Sequence, residues 1–178
     1  QPHYLYSYNR EINSLLRTSK YIKEGFNYFN ISKNYSFDYV SKKPVLLLAA
    51  GPSLKDNIEF RKIHKNKFII VAIYSILPFL EENEITPDIV TQYDEQDEIV
   101  MKTIKNINNL DFFKDTIFLF SSHLDHKVIN SFNKTNIYVF QAMFEIKKNF
   151  NILTSPSIGE ITYKLINLIG FRQIYLLG

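Results

Sequence analysis

The spacing of hydrophobic residues changes near residue 43. Between residues 6 and 30, apolar side chains recur every three or four positions among Arg, Lys and Glu, which is the period of an amphipathic helix. This spacing predicts one or two helices. Residues 31–43 are rich in Ser and Asn, show no period, and are predicted to form a linker.

After residue 43 the apolar residues form short continuous runs, which is typical of strands buried on both faces. Segments with helical spacing lie between most of these runs. The alternation predicts an α/β fold, a Rossmann-like, doubly wound and mostly parallel sheet of about six strands preceded by an N-terminal helical segment. The predicted strands are 45–49, 68–73, 89–91, 116–120, 137–140 and 174–177, and the predicted helices are 54–65, 75–82, 95–106, 126–132 and 158–169.

Two units are predicted, an N-terminal helical segment with its linker over 1–42 and the sheet domain over 43–178. The chain starts on Gln1 and ends at Gly178, directly after an apolar run. We therefore expect a piece that is truncated on the C-terminal side of its sheet domain.

Composition narrows the class of protein. The 178 residues are 46% hydrophobic, enough for one domain with its own core. The absence of cysteine excludes a disulfide framework and favours a cytoplasmic location. A net charge of +3 without a basic run gives no support for nucleic-acid binding. No apolar stretch approaches the roughly 20 residues of a membrane span, and no signal peptide is visible.

The turn Gly51-Pro52-Ser53-Leu54 follows the first predicted strand and opens a predicted helix. Glycine permits a tight turn and close approach of a ligand to the backbone. Ser53 is predicted to be the N-cap, with Asp56 in capping-box register. Free N–H groups at such a helix start suit a phosphate, although neither a Walker loop nor a G-x-G-x-x-G fingerprint is present. An ordinary strand-to-helix turn explains the same residues.

A second predicted helix start has similar features. Ser157 and Glu160 lie in capping-box register, and Gly159 again permits close approach. Both helix starts follow strands of one parallel sheet, so we expect them to converge on one anionic ligand. For Ser157 alone, a plain N-cap is the simpler interpretation.

Other candidates lie just after predicted strands. Tyr74 and Ser75 follow the second strand, where a ligand contact is plausible by position, although core burial is the default for aromatic residues. Asp94 follows the third strand and suits a ribose hydroxyl, a metal or a substrate ammonium; its alternative role is to cap the next helix. The pair His123 and His126 has the spacing of one helical face, but no third ligand accompanies it, so no metal site is predicted.

Three sequence blocks occur in the order expected for a known family. They are AAGPSLKD from Ala49, IYSILPFLEENEITPDIVTQYD from Ile73, and SIGEITYKLINLIGFRQIYLLG from Ser157. Together they resemble the central domain of the bacterial motility-associated factors, the flagellin-modifying proteins of domain-of-unknown-function family 115. The first and last blocks are also similar to bacterial sialyltransferases that use CMP-activated nonulosonic acids. The resemblance covers most of 43–178.

The resemblance implies a glycosyltransferase domain that moves pseudaminic or legionaminic acid from a CMP-sugar donor to Ser or Thr of flagellin, as needed for flagellum assembly and motility. The acceptor partner would be flagellin, and no covalent cofactor is implied. It assigns no catalytic base, since the histidine base of the sialyltransferases lies beyond their final glycine. The implied donor-binding residues are Gly51, Pro52, Ser53, Leu54, Tyr74, Ser75, Asp94, Ser157 and Gly159.

Two departures from the sialyltransferases concern donor contacts. Ala50 stands where they have Asn, and Ser157-Ile158-Gly159 replaces Thr-Ser-Gly. Two alternatives therefore stay open. The domain also resembles an archaeal pterin pyrophosphokinase, whose reaction would require Mg-ATP. A non-catalytic domain that recognises flagellin is the other.

Overall fold

A computed structural model describes residues 8–33, 42–57, 59, 66–94, 97–142, 145–155 and 157–178. Seven parallel strands of these residues form one sheet in the order β1-β6-β5-β4-β3-β2-β7. The predicted α/β class and all six predicted strands are confirmed. The strands are β1 (Asn27–Tyr28), β2 (Val45–Leu48), β3 (Ile69–Ile73), β4 (Ile89–Gln92), β5 (Ile117–Ser121), β6 (Ile137–Phe140) and β7 (Ile174–Leu177).

The helices follow the predicted spacing, and several are shorter than predicted; the helix predicted over 75–82 begins at Leu77, after a 3₁₀ turn. Helix α2 ends at Asp56, and residues 58 and 60–65 of the predicted helix lie outside the described residues. Helix α5 ends at Ile129 instead of continuing to residue 132. The helices are α1 (Tyr8–Lys23), α2 (Ser53–Asp56), α3 (Leu77–Glu82), α4 (Asp97–Lys105), α5 (His126–Ile129) and α6 (Ile158–Ile169), with 3₁₀ turns at Tyr74–Ile76, Leu110–Phe113 and Lys134–Asn136.

The core lies on both faces of the sheet because successive strand residues point in opposite directions. In β2, Leu46 and Leu48 point to the face that we call the front, and Val45 and Leu47 point to the back. Apolar residues of α1 to α5 pack on the front, whereas α6 packs on the back. Burial on both faces explains the continuous apolar runs of the inner strands.

The edge strand β7 departs from that pattern. Its apolar residues Tyr175 and Leu176 are 56% and 69% exposed. The ring of Phe68 contacts Tyr175 edge-on, with ring centroids 5.7 Å apart. A continuous apolar run therefore predicted the strand correctly but overstated its burial.

The N-terminal segment contributes to the same sheet. In β1, Asn27 pairs with Tyr138 of β6, and Tyr28 with Val139. This strand was not predicted, because it lies inside a segment of helical spacing. The boundary at residue 42 stays a prediction, but the described part of 1–42 adds both a helix and a strand to the fold.

Side chains of α1 bind the loop between β5 and α5. Arg17 donates from Nη1 to the His123 carbonyl over 2.8 Å. The hydroxyl of Thr18 donates to the Ser122 carbonyl, and that of Tyr21 to the Leu124 carbonyl. Burial raises the pKa of Tyr21, so its hydroxyl keeps the donated proton. Helix α1 is thus fixed to the backbone at the carboxyl end of β5.

No helix in the described ranges is both long and apolar enough to cross a bilayer.

Candidate functional site

The order of the strands reverses at β2. From β2 to β6 the chain steps across the sheet in one direction, and from β6 it returns to β7 on the far side of β2. Because parallel crossovers are right-handed, the reversal carries α6 to the back face, opposite α2 to α5. In open α/β sheets, ligands bind at the carboxyl ends of the strands where the order reverses. This edge is the candidate site.

Gly51, in the turn after β2, has no space for a side chain. A Cβ atom there would lie 2.0 Å from the carbonyl carbon and 2.6 Å from the oxygen of Gly178. Glycine at this position therefore serves the close approach of two backbone segments, at the ends of β2 and β7. From the sequence, glycine at this position was predicted to permit close approach of a ligand, and that role stays a prediction. The contact with Gly178 is sufficient by itself to require glycine.

The predicted cap of α2 is wrong. Pro52 is the N-cap, with helical φ of −63° and ψ of −32° and no side-chain cap bond, and Ser53 is already helical. The Ser53 hydroxyl donates to the Gly178 carbonyl over 2.8 Å and accepts from its N–H over 3.1 Å. The side chain thus binds a segment distant in sequence instead of its own helix, which also removes the predicted capping box with Asp56.

Leu54 faces away from the edge. Its side chain is buried in the front core, so the side chain does not line a ligand at this edge. Its N–H donates to the Gly51 carbonyl over 3.3 Å, which closes the turn. Within this turn, Pro52 is exposed to solvent and Ser53 is half-buried.

The start of α6 reaches the same edge from the back face. Ser157 caps the helix as predicted, and its hydroxyl accepts the N–H of Glu160 over 3.2 Å. Ile158 packs against the front core although the rest of α6 packs on the back. The first turn of α6 therefore lies over the carboxyl ends of the strands.

Gly159 differs from Gly51 in its surroundings. It has ordinary helical backbone angles, and a Cβ atom built on it would meet nothing within 4 Å. Neither strain nor crowding in the described structure requires glycine here. An uncovered glycine in the first turn of a helix leaves the backbone open to a ligand.

A buried hydroxyl pair fixes α6 to the sheet. The Oγ1 atoms of Thr91 in β4 and Thr162 in α6 lie 2.5 Å apart, and both residues are fully buried. Thr162 is also 2.7 Å from the Ile158 carbonyl. Gly170 ends the helix in the left-handed conformation, with φ of 113°. The position of the helix start relative to β4 is thus set by specific contacts.

Tyr74 does not face the edge, which corrects the predicted ligand contact of its side chain. The 3₁₀ turn after β3 directs it into the front core, where it is 1% exposed and packs edge-on against Phe120 and Phe132. Its hydroxyl donates to the Val100 carbonyl over 3.1 Å, and burial raises its pKa. Ser75, the next residue, is exposed at the edge.

Asp94 lies two residues beyond β4 and is half-buried. Its carbonyl accepts a hydrogen bond from Gln92 Nε2 over 2.9 Å. Helix α4 begins at Asp97, and residues 95 and 96 lie outside the described residues. The role of Asp94 at the ligand edge stays a prediction.

The two histidines do not share a helical face. His123 precedes α5, is 4% exposed, and lies with its ring centroid 6.0 Å from that of Tyr93. His126 is in α5, where its Nε2 is 2.7 Å from Glu24 and its Nδ1 is 2.8 Å from Asn130. Within the described ranges, no three His, Cys, Asp or Glu residues cluster in a way that suits a metal ion.

One residue of this edge was missed from the sequence. Gln141 directly follows β6, and its buried amide binds the backbone of the loop that leads to α6. A polar residue after an apolar strand was the available signal, but the partners lie in a loop without a motif.

Comparison with solved structures shows where this fold occurs. The MAf glycosyltransferase from Magnetospirillum magneticum AMB-1 matches with a TM-score of 0.68 and 18% identity over 94% of this chain. The match covers 27% of that protein, so the present chain spans about a quarter of its length. The predicted resemblance to the motility-associated factors is thereby confirmed at the level of the fold.

No curated protein matches the chain significantly. The family model described as 6-hydroxymethylpterin diphosphokinase MptE-like matches residues 13–178, which is nearly the whole chain. The chain therefore belongs to the MptE-like family.

Proposed function

We propose that the chain is the donor-binding part of a cytoplasmic glycosyltransferase that moves a nonulosonic acid from a CMP-sugar to Ser or Thr of flagellin. The observation that carries the proposal is the reversal of strand order at β2, where the first turn of α6, with open space beside Gly159 among the described residues, meets the carboxyl edge of the sheet. The fold shared with a glycosyltransferase and the three sequence blocks support it.

The reaction defines what this edge must do. The acceptor hydroxyl oxygen forms a bond to the anomeric carbon of the sugar, the bond from that carbon to the phosphate oxygen breaks, and CMP leaves with the electron pair. The hydroxyl proton passes to a base. Backbone N–H groups aimed at the departing phosphate would stabilise its charge; removing one donor that stabilises an oxyanion costs about 2.7–4 kcal/mol in a well-studied enzyme.

The first turn of α6 suits that role. The first intrahelical bond runs from the Ile161 N–H to the Ser157 carbonyl, over 3.1 Å. The N–H groups of Ile158 and Gly159 precede it and point out of the helix start. Helix α6 has 12 residues, so the positive end of its dipole adds to these donors. We assign the donor phosphate to this turn, with Ser157 as cap.

The remaining predicted residues take different parts in the proposal. Gly51, Pro52 and Ser53 shape the turn at the end of β2 and offer backbone groups to the nucleotide. Ser75 and Asp94 lie at the ends of β3 and β4, where the ribose or base would lie.

A second candidate function comes from the family itself. A 6-hydroxymethylpterin diphosphokinase would transfer a diphosphate group to a pterin hydroxyl from ATP bound to Mg²⁺. The same edge of the sheet would then hold the ATP phosphates. The two candidates share a nucleotide phosphate but differ in base and metal dependence.

Titration calorimetry of the full-length protein separates them. We expect CMP and CTP to bind without added metal and more tightly than ATP. Binding of ATP that depends on Mg²⁺ and exceeds that of CTP would favour the diphosphokinase. Absence of binding for all three would refute both. In cells, deletion of the gene should leave flagellin unglycosylated; normally modified filaments would rule out the transferase.

A matched pair of variants tests the assigned turn. Gly159→Asp and Gly159→Asn add side chains of nearly equal size to an open position, so both should fold. An acidic side chain in the first turn of a helix interacts favourably with the helix dipole, but it repels an anionic ligand. We expect Gly159→Asp to bind CTP at least about fivefold more weakly than Gly159→Asn at low salt, with a smaller difference at high salt. Equal affinities would remove the phosphate from this turn.

A further inference from the structure

Gln141 is a buried amide at the carboxyl edge of the sheet. It follows β6 directly and is 1% exposed. A buried amide carries two N–H donors and a carbonyl acceptor, and leaving them unpaired would cost about 1–3 kcal/mol per group. Its partners therefore show what the side chain does.

Among the described residues, the side-chain bonds of Gln141 all go to the backbone of one loop. The Oε1 atom accepts the N–H groups of Ile146 and Lys147 over 2.9 and 2.6 Å. The Nε2 atom donates to the carbonyls of Lys147 and Asn151 over 3.0 and 3.1 Å. The Gln141 carbonyl accepts the Leu153 N–H over 2.8 Å. One residue thus binds both the outgoing and the returning part of the loop.

The loop depends on such bonds for its shape. Asn149 and Asn151 have φ values of 64° and 51°, a conformation that is uncommon for residues other than glycine. Outside the Gln141 bonds, the Glu145 carboxylate accepts the Asn151 N–H over 3.0 Å, and Ser32 donates to the Asn149 carbonyl over 2.6 Å. Ser32 and Glu145 are exposed to solvent, whereas Gln141 itself is buried.

This loop leads from β6 to the start of α6. Leu153, held by the Gln141 carbonyl, is buried in the back core four residues before the cap Ser157. We propose that Gln141 is a positioning residue, which sets the path of the loop and thereby holds the first turn of α6 ready for the donor nucleotide. The role rests on the proposed function, because it is defined by affinity for that nucleotide. A preorganised loop binds more tightly, since less ordering is needed on binding.

Substitution in the full-length protein tests the role against a purely structural one. Gln141→Met keeps the volume but removes all four side-chain bonds. The control is Thr116→Val, because Thr116 is also fully buried and donates to the Pro87 carbonyl over 2.8 Å, at the opposite edge of the sheet. Glu145→Ala loosens the same loop from its exposed side and serves if Gln141→Met does not fold. Measurements are CTP affinity by calorimetry and amide exchange of Ile146 and Lys147.

We expect Gln141→Met to weaken CTP binding about tenfold and to speed exchange of the two loop amides by at least about tenfold. Glu145→Ala should weaken binding about threefold, and Thr116→Val should stay within about twofold of wild type. If Gln141→Met and Glu145→Ala bind CTP like Thr116→Val, the positioning role is refuted while the proposed function stands. If wild type binds no cytidine nucleotide, both are refuted.

Discussion

Alanine at position 51 would place its methyl carbon 2.0 Å from the Gly178 carbonyl carbon, inside any allowed contact. The obstructing atoms belong to the backbone, so no side-chain rotation relieves the overlap. Alanine at position 159 meets no atom of the described residues within 4 Å. We therefore expect the same substitution to have opposite effects on the free energy of unfolding at Gly51 and Gly159.

The loss at position 51 follows from the bonds that join the two turns. Moving Gly178 away from Gly51 breaks both bonds with Ser53, and it weakens the bond from the Ala49 N–H to the Leu177 carbonyl, which is 2.9 Å long. With a net value of about 0.5–1.5 kcal/mol for each bond, the variant should lose about 1–3 kcal/mol.

The gain at position 159 follows from helix propensity. Alanine is favoured over glycine in a helix by about 0.5–1 kcal/mol, because glycine loses more backbone entropy on folding. The first turn is only partly constrained, so we expect Gly159→Ala to gain about 0.3–1 kcal/mol. A stabilised variant that also binds CTP more weakly would indicate that the natural glycine serves the ligand.

Two assays measure these effects. Thermal unfolding gives the Tm, and urea titration at one temperature gives the free energy of unfolding. For a chain of this size, about 1 kcal/mol changes the Tm by roughly 2–4 °C. We expect Gly51→Ala to lower the Tm by about 2–12 °C and Gly159→Ala to raise it by about 1–4 °C. A wild-type Tm for Gly51→Ala would refute the close contact with Gly178, and a clear loss of stability for Gly159→Ala would show that the space beside it is filled.

Three further changes test single contacts. The hydrogen bond from His126, with its charge and those of nearby lysines, lowers the pKa of Glu24 below its ordinary value of 4.5. We expect Glu24→Gln to be less stable than wild type at neutral pH, with a difference that starts to shrink once the pH falls below that ordinary value and is lost as the pH falls through the lowered pKa, measured by urea titration across pH. Tyr74→Phe should lose about 0.5–1.5 kcal/mol in the same assay, and a change in CTP affinity would contradict its placement in the core. Ser157→Ala removes the cap of α6 and should cost about 0.5–2 kcal/mol; unchanged stability would show that the cap bond is dispensable.

Local patterns predicted the elements whose ends are fixed locally. Helix α6 has the predicted bounds because residues next to its ends fix them: Ser157 caps its start, and Gly170 ends it. The inner strands were recognised by apolar runs that are covered on both faces. These local patterns do not specify the order of the strands in the sheet. That order depends also on the right-handed crossover between parallel strands.

Features that depend on distant partners were missed. Strand β1 has two residues, too few for any period, and exists through its pairing with β6. The hydroxyl of Ser53 was assigned to its own helix because its actual partner, Gly178, is 125 residues away. Tyr74 was placed by its position after a strand, whereas the direction of its side chain is set by a 3₁₀ turn that the sequence pattern did not distinguish.

The pairing partners of the outermost strands have a consequence for how the chain folds. Strands β3 to β6 each pair with the strand that precedes them in the chain, while β1 pairs with β6 and β7 with β2 across more than a hundred residues. Contacts between remote segments form late, because the intervening chain must first be ordered. We expect the five inner strands to form the folding nucleus. The two edge strands, β1 and β7, should pair last during folding and open first in the native state.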